Sequence, residues 1–151
     1  MTDKYYITTP IYYVNDKPHI GHAYTSVATD FIARFMRLND YDVRFQTGTD
    51  EHGLKIQKAA ESKGKEPLEL CDENSRIFRD LTTTLDLSND DFIRTTEQRH
   101  IDGASFLWNR LHERNQIYLG EYTGWYSIND ETFYNEKDWG RQSDGGLKTV
   151  T

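Results

Sequence analysis

The early part of the chain alternates between strand-like and helix-like segments, and this order restricts the fold more than any other feature. Residues 4–9 are rich in β-branched and aromatic side chains, which predicts a mostly buried strand. In residues 20–38 apolar side chains recur at helical spacing, and Asn39 and Asp40 predict the end of that helix. Residues 41–47 predict a second strand. This order is typical of a right-handed βαβ unit in a parallel sheet.

A pair of histidines lies where the long helix is predicted to begin. The stretch PHIGH, residues 18–22, spaces His19 and His22 so that both imidazoles share one helical face. The first N–H groups of a helix are unpaired and carry the positive end of its dipole, which favours an anion. Gly21 allows a flat group to lie against the backbone. The junction therefore predicts a site for a nucleotide triphosphate.

The rest of the sequence predicts three more helices and then a change of character. Helices are predicted over residues 54–63, 67–85 and 95–114, with a short strand at residues 92–93. Beyond residue 116 the chain becomes aromatic and β-prone, which predicts a small β element. The side chains predicted to face the core of the last two helices are Leu68, Cys71, Phe78, Leu81 and Leu85, then Ile101, Ala104, Leu107, Trp108 and Leu111.

Composition excludes several classes of protein. The net charge of −7 over 151 residues is not that of a basic nucleic-acid-binding module. Cys71 is the only cysteine, so disulfides within the chain and cysteine-rich metal sites are excluded. No apolar run approaches membrane-spanning length and the N-terminus lacks a signal peptide, so we expect a cytoplasmic protein. Residues 145–151 suggest a turn and the opening of a strand, so we expect a fragment of a longer chain.

Three blocks of sequence resemble the class I aminoacyl-tRNA synthetases and, within that class, the methionyl family. The first comprises TTPIYYVN at residues 8–15 with PHIGHAY at residues 18–24. The second is FQTGTDEHG at residues 45–53. The third, GWYSINDE at residues 124–131, resembles the start of the family's connective insertion.

The resemblance implies both a fold and a reaction. The fold is α/β: residues 1–116 would form the N-terminal half of a Rossmann-like parallel-sheet nucleotide-binding fold, and residues 117–151 the truncated start of the small β connective insertion. ATP, with Mg²⁺, and methionine would yield methionyl-adenylate and pyrophosphate. The methionyl group would then pass to tRNA(Met), which would be bound through regions outside this chain.

Particular residues match the family's functional positions. His19 and His22 match catalytic histidines that stabilise charge on the phosphates, and with Gly21 they match the ATP site. The residues that match the methionine site are Ile11, Tyr13 and Asp50, with Asp50 receiving the ammonium group. Because ligands bind outside the carboxyl ends of parallel strands, these side chains should open on the same edge as the histidines.

The chain departs from the family pattern in two respects. The lysine-rich KMSKS loop, the second half of the nucleotide fold and the anticodon-reading region are not in this sequence. We therefore expect residues 1–151 alone to be inactive. Ser127 and Asp130 occupy the spacing of a C-x-x-C pair with no cysteine nearby, so the chain resembles the zinc-free type, and no metal-ligating residues are predicted.

Two other functions remain possible from the sequence. One is a different nucleotidyltransferase that shares the HxGH geometry, such as a cytidylyltransferase; the blocks around Asp50 and Trp125 argue against it. The other is a non-catalytic fragment that binds a nucleotide. Neither DNA nor a membrane is expected as a partner. The role of His52 stays open, since it could orient a loop or touch a ligand.

Overall fold

A computed structural model describes residues 2–127 and 130–134 and contains a parallel sheet centred on one long strand. The strands of this sheet are β1 (Lys4–Thr8), β2 (Tyr12–Tyr13), β3 (Asp42–Asp50) and β4 (Asp91–Arg94). β1 and β2 pair in parallel with successive stretches of one edge of β3. β4 pairs in parallel with the opposite edge. The predicted parallel α/β organisation is confirmed.

Helices lie between the strands as the sequence predicts. They are α1 (Ile20–Leu38), α2 (Leu54–Ser62), α3 (Pro67–Thr84) and α4 (Gln98–Glu113). α1 packs on β1 and β3, and α3 packs on β3 and α2. The end of α1 follows its predicted signal: Asn39 Nδ2 donates to the Phe35 carbonyl at 2.7 Å, and Asp40 adopts a positive φ of 62°.

The apolar core joins β2 and β4 to α2 and α3. Its contiguous buried cluster contains Tyr12, Val14, Ile56, Cys71, Phe78 and Phe92. Asn74 in α3 donates from Nδ2 to the Val14 carbonyl at 2.5 Å, so the backbone after β2 is held directly by α3. Burial also raises the pKa of the Cys71 thiol to about 11, with Glu51 adding to the effect, so the thiol is a protonated core group.

Some predictions of burial were wrong. β1 alternates exposed and half-buried side chains, since it pairs only with β3 in the described part of the chain. Leu68 is exposed, and α4 buries none of its side chains, although Leu107 and Trp108 were predicted to face the core. Helical spacing shows which side chains share a face, but it does not show whether another element covers that face.

The side of α1 that faces the sheet is small and polar rather than apolar. Its buried residues are Ser26, Thr29, Asp30 and Ala33. The large apolar side chains that give the helix its periodicity are exposed, as Tyr24 and Phe31 illustrate at 76% and 70% of their surface. The amphipathic pattern therefore identifies the helix correctly while its apolar face lies away from this sheet.

The chain divides into two compact units, Met1–Phe106 and Leu107–Thr151. The second contains the antiparallel pair β5 (Trp125–Ser127) and β6 (Thr132–Tyr134), which confirms the small β element expected there. Phe133 packs edge-on against Tyr122 and Tyr126, with ring centroids 4.7 and 5.0 Å away. Asn129 and the strand expected within residues 145–151 lie outside the described residues, and the domain boundary at residues 116–117 stays a prediction.

None of the helices in the described ranges combines the length and apolarity needed to cross a bilayer.

Gly48 is the point of closest approach between β3 and β4. A Cβ atom there would lie 2.0 Å from the carbonyl oxygen of Ile93, which is backbone and cannot move aside cheaply. Gly48→Ala should therefore destabilise the fold by about 1–3 kcal/mol or more. The matched control is Gly103→Ala in α4, where a Cβ meets nothing within 4 Å. That change should be neutral or stabilise the helix by about 0.5–1 kcal/mol. Denaturant midpoints of the two variants measure the difference, and equal midpoints would contradict the predicted clash.

Candidate active site

His19 and His22 cap the first turn of α1 with their own side chains. The backbone N–H of His19 donates to His22 Nδ1 at 3.0 Å, and the N–H of Gly21 donates to His19 Nδ1 at 3.1 Å. Ser, Thr, Asp or Asn usually supply such acceptors at a helix start. Since Nδ1 of each neutral ring accepts a hydrogen bond, its proton lies on Nε2. The helix N-terminus therefore carries two imidazole N–H donors in addition to its unpaired backbone donors.

Gly21 is required by the position of the His19 ring. A Cβ atom at Gly21 would lie 2.9 Å from His19 Cε1, closer than real side chains approach. The two imidazoles in turn lie close together, with ring centroids 3.8 Å apart at a tilt of 32°. The glycine of the motif thus allows one histidine to fold over the helix start and meet the other.

An aromatic cradle fixes the ring of His22. Tyr12 and Phe78 contact it edge-on, with centroids 4.9 and 5.1 Å from the imidazole, and these two rings stack on each other at 5.6 Å. The Tyr12 hydroxyl bonds Ser26 Oγ at 2.9 Å, which links β2 to α1. Partial burial lowers the pKa of His22, and the proximity of His19 lowers it further, because two protonated imidazoles would repel each other. The imidazole is therefore neutral near pH 7.

Of the three residues predicted to bind methionine, Tyr13 and Asp50 lie on neighbouring strands. Tyr13 pairs in register with Asp50 across β2 and β3, and Asp50 is the last residue of β3. Lys55 Nζ lies 5.6 Å from the centre of the Tyr13 ring. Since Tyr13 directly follows Tyr12, the Asp50 carboxylate and the His22 cradle share one edge of the sheet. Ile11 is exposed in the link between β1 and β2.

A buried ion pair directly beside Asp50 was missed by the sequence reasoning. The Glu51 side chain is fully buried, and Arg94 donates to its two carboxylate oxygens at 2.7 and 2.9 Å. Thr49 and Thr96 donate to the same carboxylate. Burial alone would raise the pKa of Glu51, but these hydrogen bonds outweigh burial, so the net pKa is lowered and the group is ionised. The sequence signal that could have revealed it is the Asp-Glu pair at a strand end. Because successive side chains of a strand point to opposite sides, one of the two carboxylates would be expected to point inward.

The segment after β4 also holds the backbone around this ion pair. Thr95 donates its N–H to the Thr49 carbonyl at 3.3 Å, and its hydroxyl accepts the Glu51 N–H at 2.9 Å. The Thr95 carbonyl lies 3.3 Å from Nε2 of His52. His52, whose role the sequence left open, thus contacts a backbone carbonyl of the neighbouring loop.

Within the described residues, no group of three or more His, Cys, Asp and Glu side chains is arranged to hold a metal ion. Ser127 and Asp130, which stand at C-x-x-C spacing, instead bond each other, since Ser127 Oγ donates to Asp130 Oδ2 at 2.6 Å. Tyr134 also donates to that carboxylate, at 3.0 Å.

A parallel sheet that carries a histidine-capped helix, with a carboxylate at the end of its central strand, is the arrangement expected of a class I aminoacyl-tRNA synthetase domain. The family model described as "tRNA synthetases class I (M)" matches residues 5–141, and the chain belongs to this family. Its parallel-sheet α/β fold is the Rossmann-like catalytic fold of that class.

Individual relatives agree with this membership. The methionine–tRNA ligase of Rickettsia bellii is 57% identical over 138 residues, which are 91% of this chain and 27% of that protein. The structure of Mycobacterium tuberculosis methionyl-tRNA synthetase in complex with methionyl-adenylate matches with a TM-score of 0.85 and 49% identity, over 91% of this chain and 27% of that one. The chain therefore spans about a quarter of the length of these relatives.

A more distant structure agrees in fold. The Agrobacterium radiobacter LeuRS, in a ternary complex with tRNA and LeuAMS, matches with a TM-score of 0.73 over 86% of this chain and 17% of that one. Its sequence identity is 20%, so this likeness concerns the fold alone.

The cause of the lowered His22 pKa can be tested with His19→Asn. Asparagine keeps a capping acceptor at the helix start but removes the neighbouring imidazole, whose protonated form would repel a charge on His22. The pKa of His22 should rise, yet stay below its ordinary value of 6.5, because burial is the larger cause. NMR titration of ¹⁵N-histidine-labelled protein measures it, and the same change at His112 should leave it unmoved. A His22 pKa that stays constant in His19→Asn would contradict the coupling.

Proposed function

We propose that this chain supplies the histidine half of the active site of a methionine–tRNA ligase, which activates methionine with ATP and transfers it to tRNA(Met). The observation that supports this most is the reciprocal cap of α1. His19 and His22 use Nδ1 to hold the helix start and keep Nε2–H for a ligand. Relatives carrying the name methionine–tRNA ligase, at 57% identity, support methionine as the amino acid.

The adenylation step needs stabilised charge rather than a covalent nucleophile from the protein. A carboxylate oxygen of methionine bonds to the α-phosphorus of ATP while the bond to the β-phosphate oxygen breaks and pyrophosphate leaves. His19 and His22 donate from Nε2 to the phosphates as negative charge develops there. Donors that are fixed before the reaction stabilise such a transition state most effectively. Gly21 gives ATP access to the backbone beside these rings.

Methionine is recognised by residues at and near the carboxyl ends of β2 and β3. The Asp50 carboxylate receives the substrate ammonium, and Tyr13, its register partner, lines the side-chain pocket together with Ile11. The pairing of Tyr13 with Asp50 supports this assignment, since it brings an aromatic wall and an anion to one end of the substrate. A charge-assisted hydrogen bond then holds the ammonium while the carboxylate points toward ATP.

The remaining parts of the reaction lie outside this segment. We propose that tRNA(Met) binds through regions beyond residues 1–151, and that these residues alone do not form methionyl-adenylate. The chain acts in the cytoplasm, with no membrane or DNA partner. Residues 117–151 begin the connective insertion, which is of the zinc-free type: the Ser127–Asp130 hydrogen bond supports this, because it occupies the C-x-x-C spacing. Mg²⁺ enters as the counter-ion of the ATP phosphates.

ATP–pyrophosphate exchange tests the proposed function directly. A full-length synthetase that contains residues 1–151 should exchange pyrophosphate into ATP in the presence of methionine and not in the presence of other amino acids. The segment alone, run beside it, should show no exchange. Pyrophosphate exchange that is independent of every amino acid and requires CTP would favour the cytidylyltransferase alternative. Nucleotide binding without turnover in the full-length protein would favour the alternative of a non-catalytic nucleotide-binding fragment.

Removing one imidazole should slow adenylation. His19→Asn and His22→Ala, each in the full-length enzyme, should lower the adenylation rate constant by about 10- to 1,000-fold with little change in methionine affinity. His19→Asn keeps the cap, so its loss reports the missing Nε2 donor rather than helix fraying. His112→Ala in α4 is the matched control and should retain the parent rate. Unchanged pre-steady-state rates in both site variants would remove the histidines from the mechanism.

Neutralising Asp50 should weaken methionine binding. Asp50→Asn keeps the shape of the side chain and removes its charge, so affinity for methionine should fall by about 1.5–3 kcal/mol, the value of a hydrogen bond to a charged group. ATP affinity should persist. Asp42→Asn, at the opposite end of β3, is the control. Calorimetric titration of methionine into each full-length variant measures the loss, and parent-like affinity in Asp50→Asn would contradict the assignment.

A further inference from the structure

The residues on both sides of Asp50 are held rigidly. Thr49 is buried, donates to Glu51, and lies 3.0 Å from Ser75 Oγ in α3. Glu51 has its carboxylate bound by Arg94 and its own N–H bound by Thr95. A backbone fixed at both neighbours leaves Asp50 little freedom in φ and ψ. The direction of its Cα–Cβ bond is therefore set by the hydrogen bonds of its two neighbours.

The Glu51–Arg94 pair takes no part in the chemistry proposed for His19, His22 and Asp50. The Glu51 side chain is fully buried and its Arg94 partner is 21% exposed. Burying such a pair gives little net stability, since the charges lose their hydration. Its geometry is what distinguishes it: a planar guanidinium fork binds a carboxylate in one orientation and so fixes direction as well as distance.

We propose that Glu51 is a positioning residue for methionine: clamped by Arg94 and Thr96, it turns the strand end so that the Asp50 carboxylate faces the substrate ammonium. This inference rests on the proposed function, and it assigns the orientation of the ammonium contact to Glu51 and the residues that clamp it rather than to Asp50 alone. β4 supplies the clamp, and Gly48 allows β4 to come close enough to reach it.

Glu51→Gln in the full-length enzyme is the principal test. Glutamine keeps the shape, but its amide nitrogen would face the Arg94 fork, so the clamp loses its fixed orientation. The KM for methionine should rise between about tenfold and 10²-fold, the scale of a misplaced binding group. The KM for ATP and the kcat at saturating methionine should stay near the parent values. Glu73→Gln is the matched control, because Glu73, in α3, forms an ion pair with Lys65, which precedes that helix and is not a partner of Glu51.

A milder variant covers the case in which Glu51→Gln fails to fold. Thr96→Val removes one hydrogen bond to the Glu51 carboxylate without leaving a buried charge unpaired. It should raise the KM for methionine by a smaller factor and again leave the KM for ATP unchanged. Thermal unfolding of each variant is recorded alongside, because a merely structural role would lower the midpoint and leave the KM of the folded enzyme unmoved.

The outcomes separate the inference from the function on which it rests. Positioning is supported if the parent enzyme shows methionine-dependent ATP–pyrophosphate exchange and the KM for methionine is raised in Glu51→Gln or Thr96→Val. The same parent activity with an unmoved methionine KM in both variants overturns positioning alone. A parent that shows no methionine-dependent exchange overturns the proposed function, and the positioning role with it.

Discussion

Strand β3 is the constraint on which the rest of the structure depends. The other three strands of its sheet pair with it, and α1 and α3 pack against it. Toward its carboxyl end the buried side chains are polar: Thr47 shares a 2.6 Å hydrogen bond with Thr9, and Thr49 bonds Ser75. Every buried side-chain nitrogen and oxygen in the described residues has a partner. At this end of the sheet, hydrogen bonds fix the orientations of the side chains, whereas apolar packing alone is not directional.

The same two imidazoles stabilise the helix and furnish the site. At most helix starts the capping side chain only accepts a backbone hydrogen bond, and aspartate and serine are among the preferred residues. Here the acceptor Nδ1 is used by the backbone, and this leaves Nε2–H as a donor beside the unpaired N–H groups of the helix start. An aspartate would cap equally well but would place negative charge where, in the proposed function, the ATP phosphates bind. Histidine is the side chain that can accept toward the helix and donate outward at once.

The sequence predicted elements whose signals are local. Helix α1 spans the predicted residues 20–38 because its periodicity and its stop at Asn39 are both within the segment. The second strand was predicted to end at residue 47, yet β3 continues to Asp50, because pairing with β2 and β4 extends it through Gly48. The Glu51–Arg94 pair joins residues 43 positions apart, so no local pattern could reveal it. The wrong prediction that α4 faces the core has the same cause, because periodicity within a helix does not show which elements pack against it.

The double use of His22 links the stability of the fold to the chemistry of the site. Its pKa is lowered in the folded protein, so below its ordinary value of 6.5 the unfolded chain binds the proton more readily than the folded one. The stability that neutral His22 contributes is therefore fully present above about pH 6.5 and is lost as the pH falls through and below that value. Protonation at Nδ1 would also break the bond from the His19 N–H. Imidazolium keeps its Nε2–H, so acidification removes the cap, and with it the hydrogen bond that fixes the direction of that donor, through a single proton.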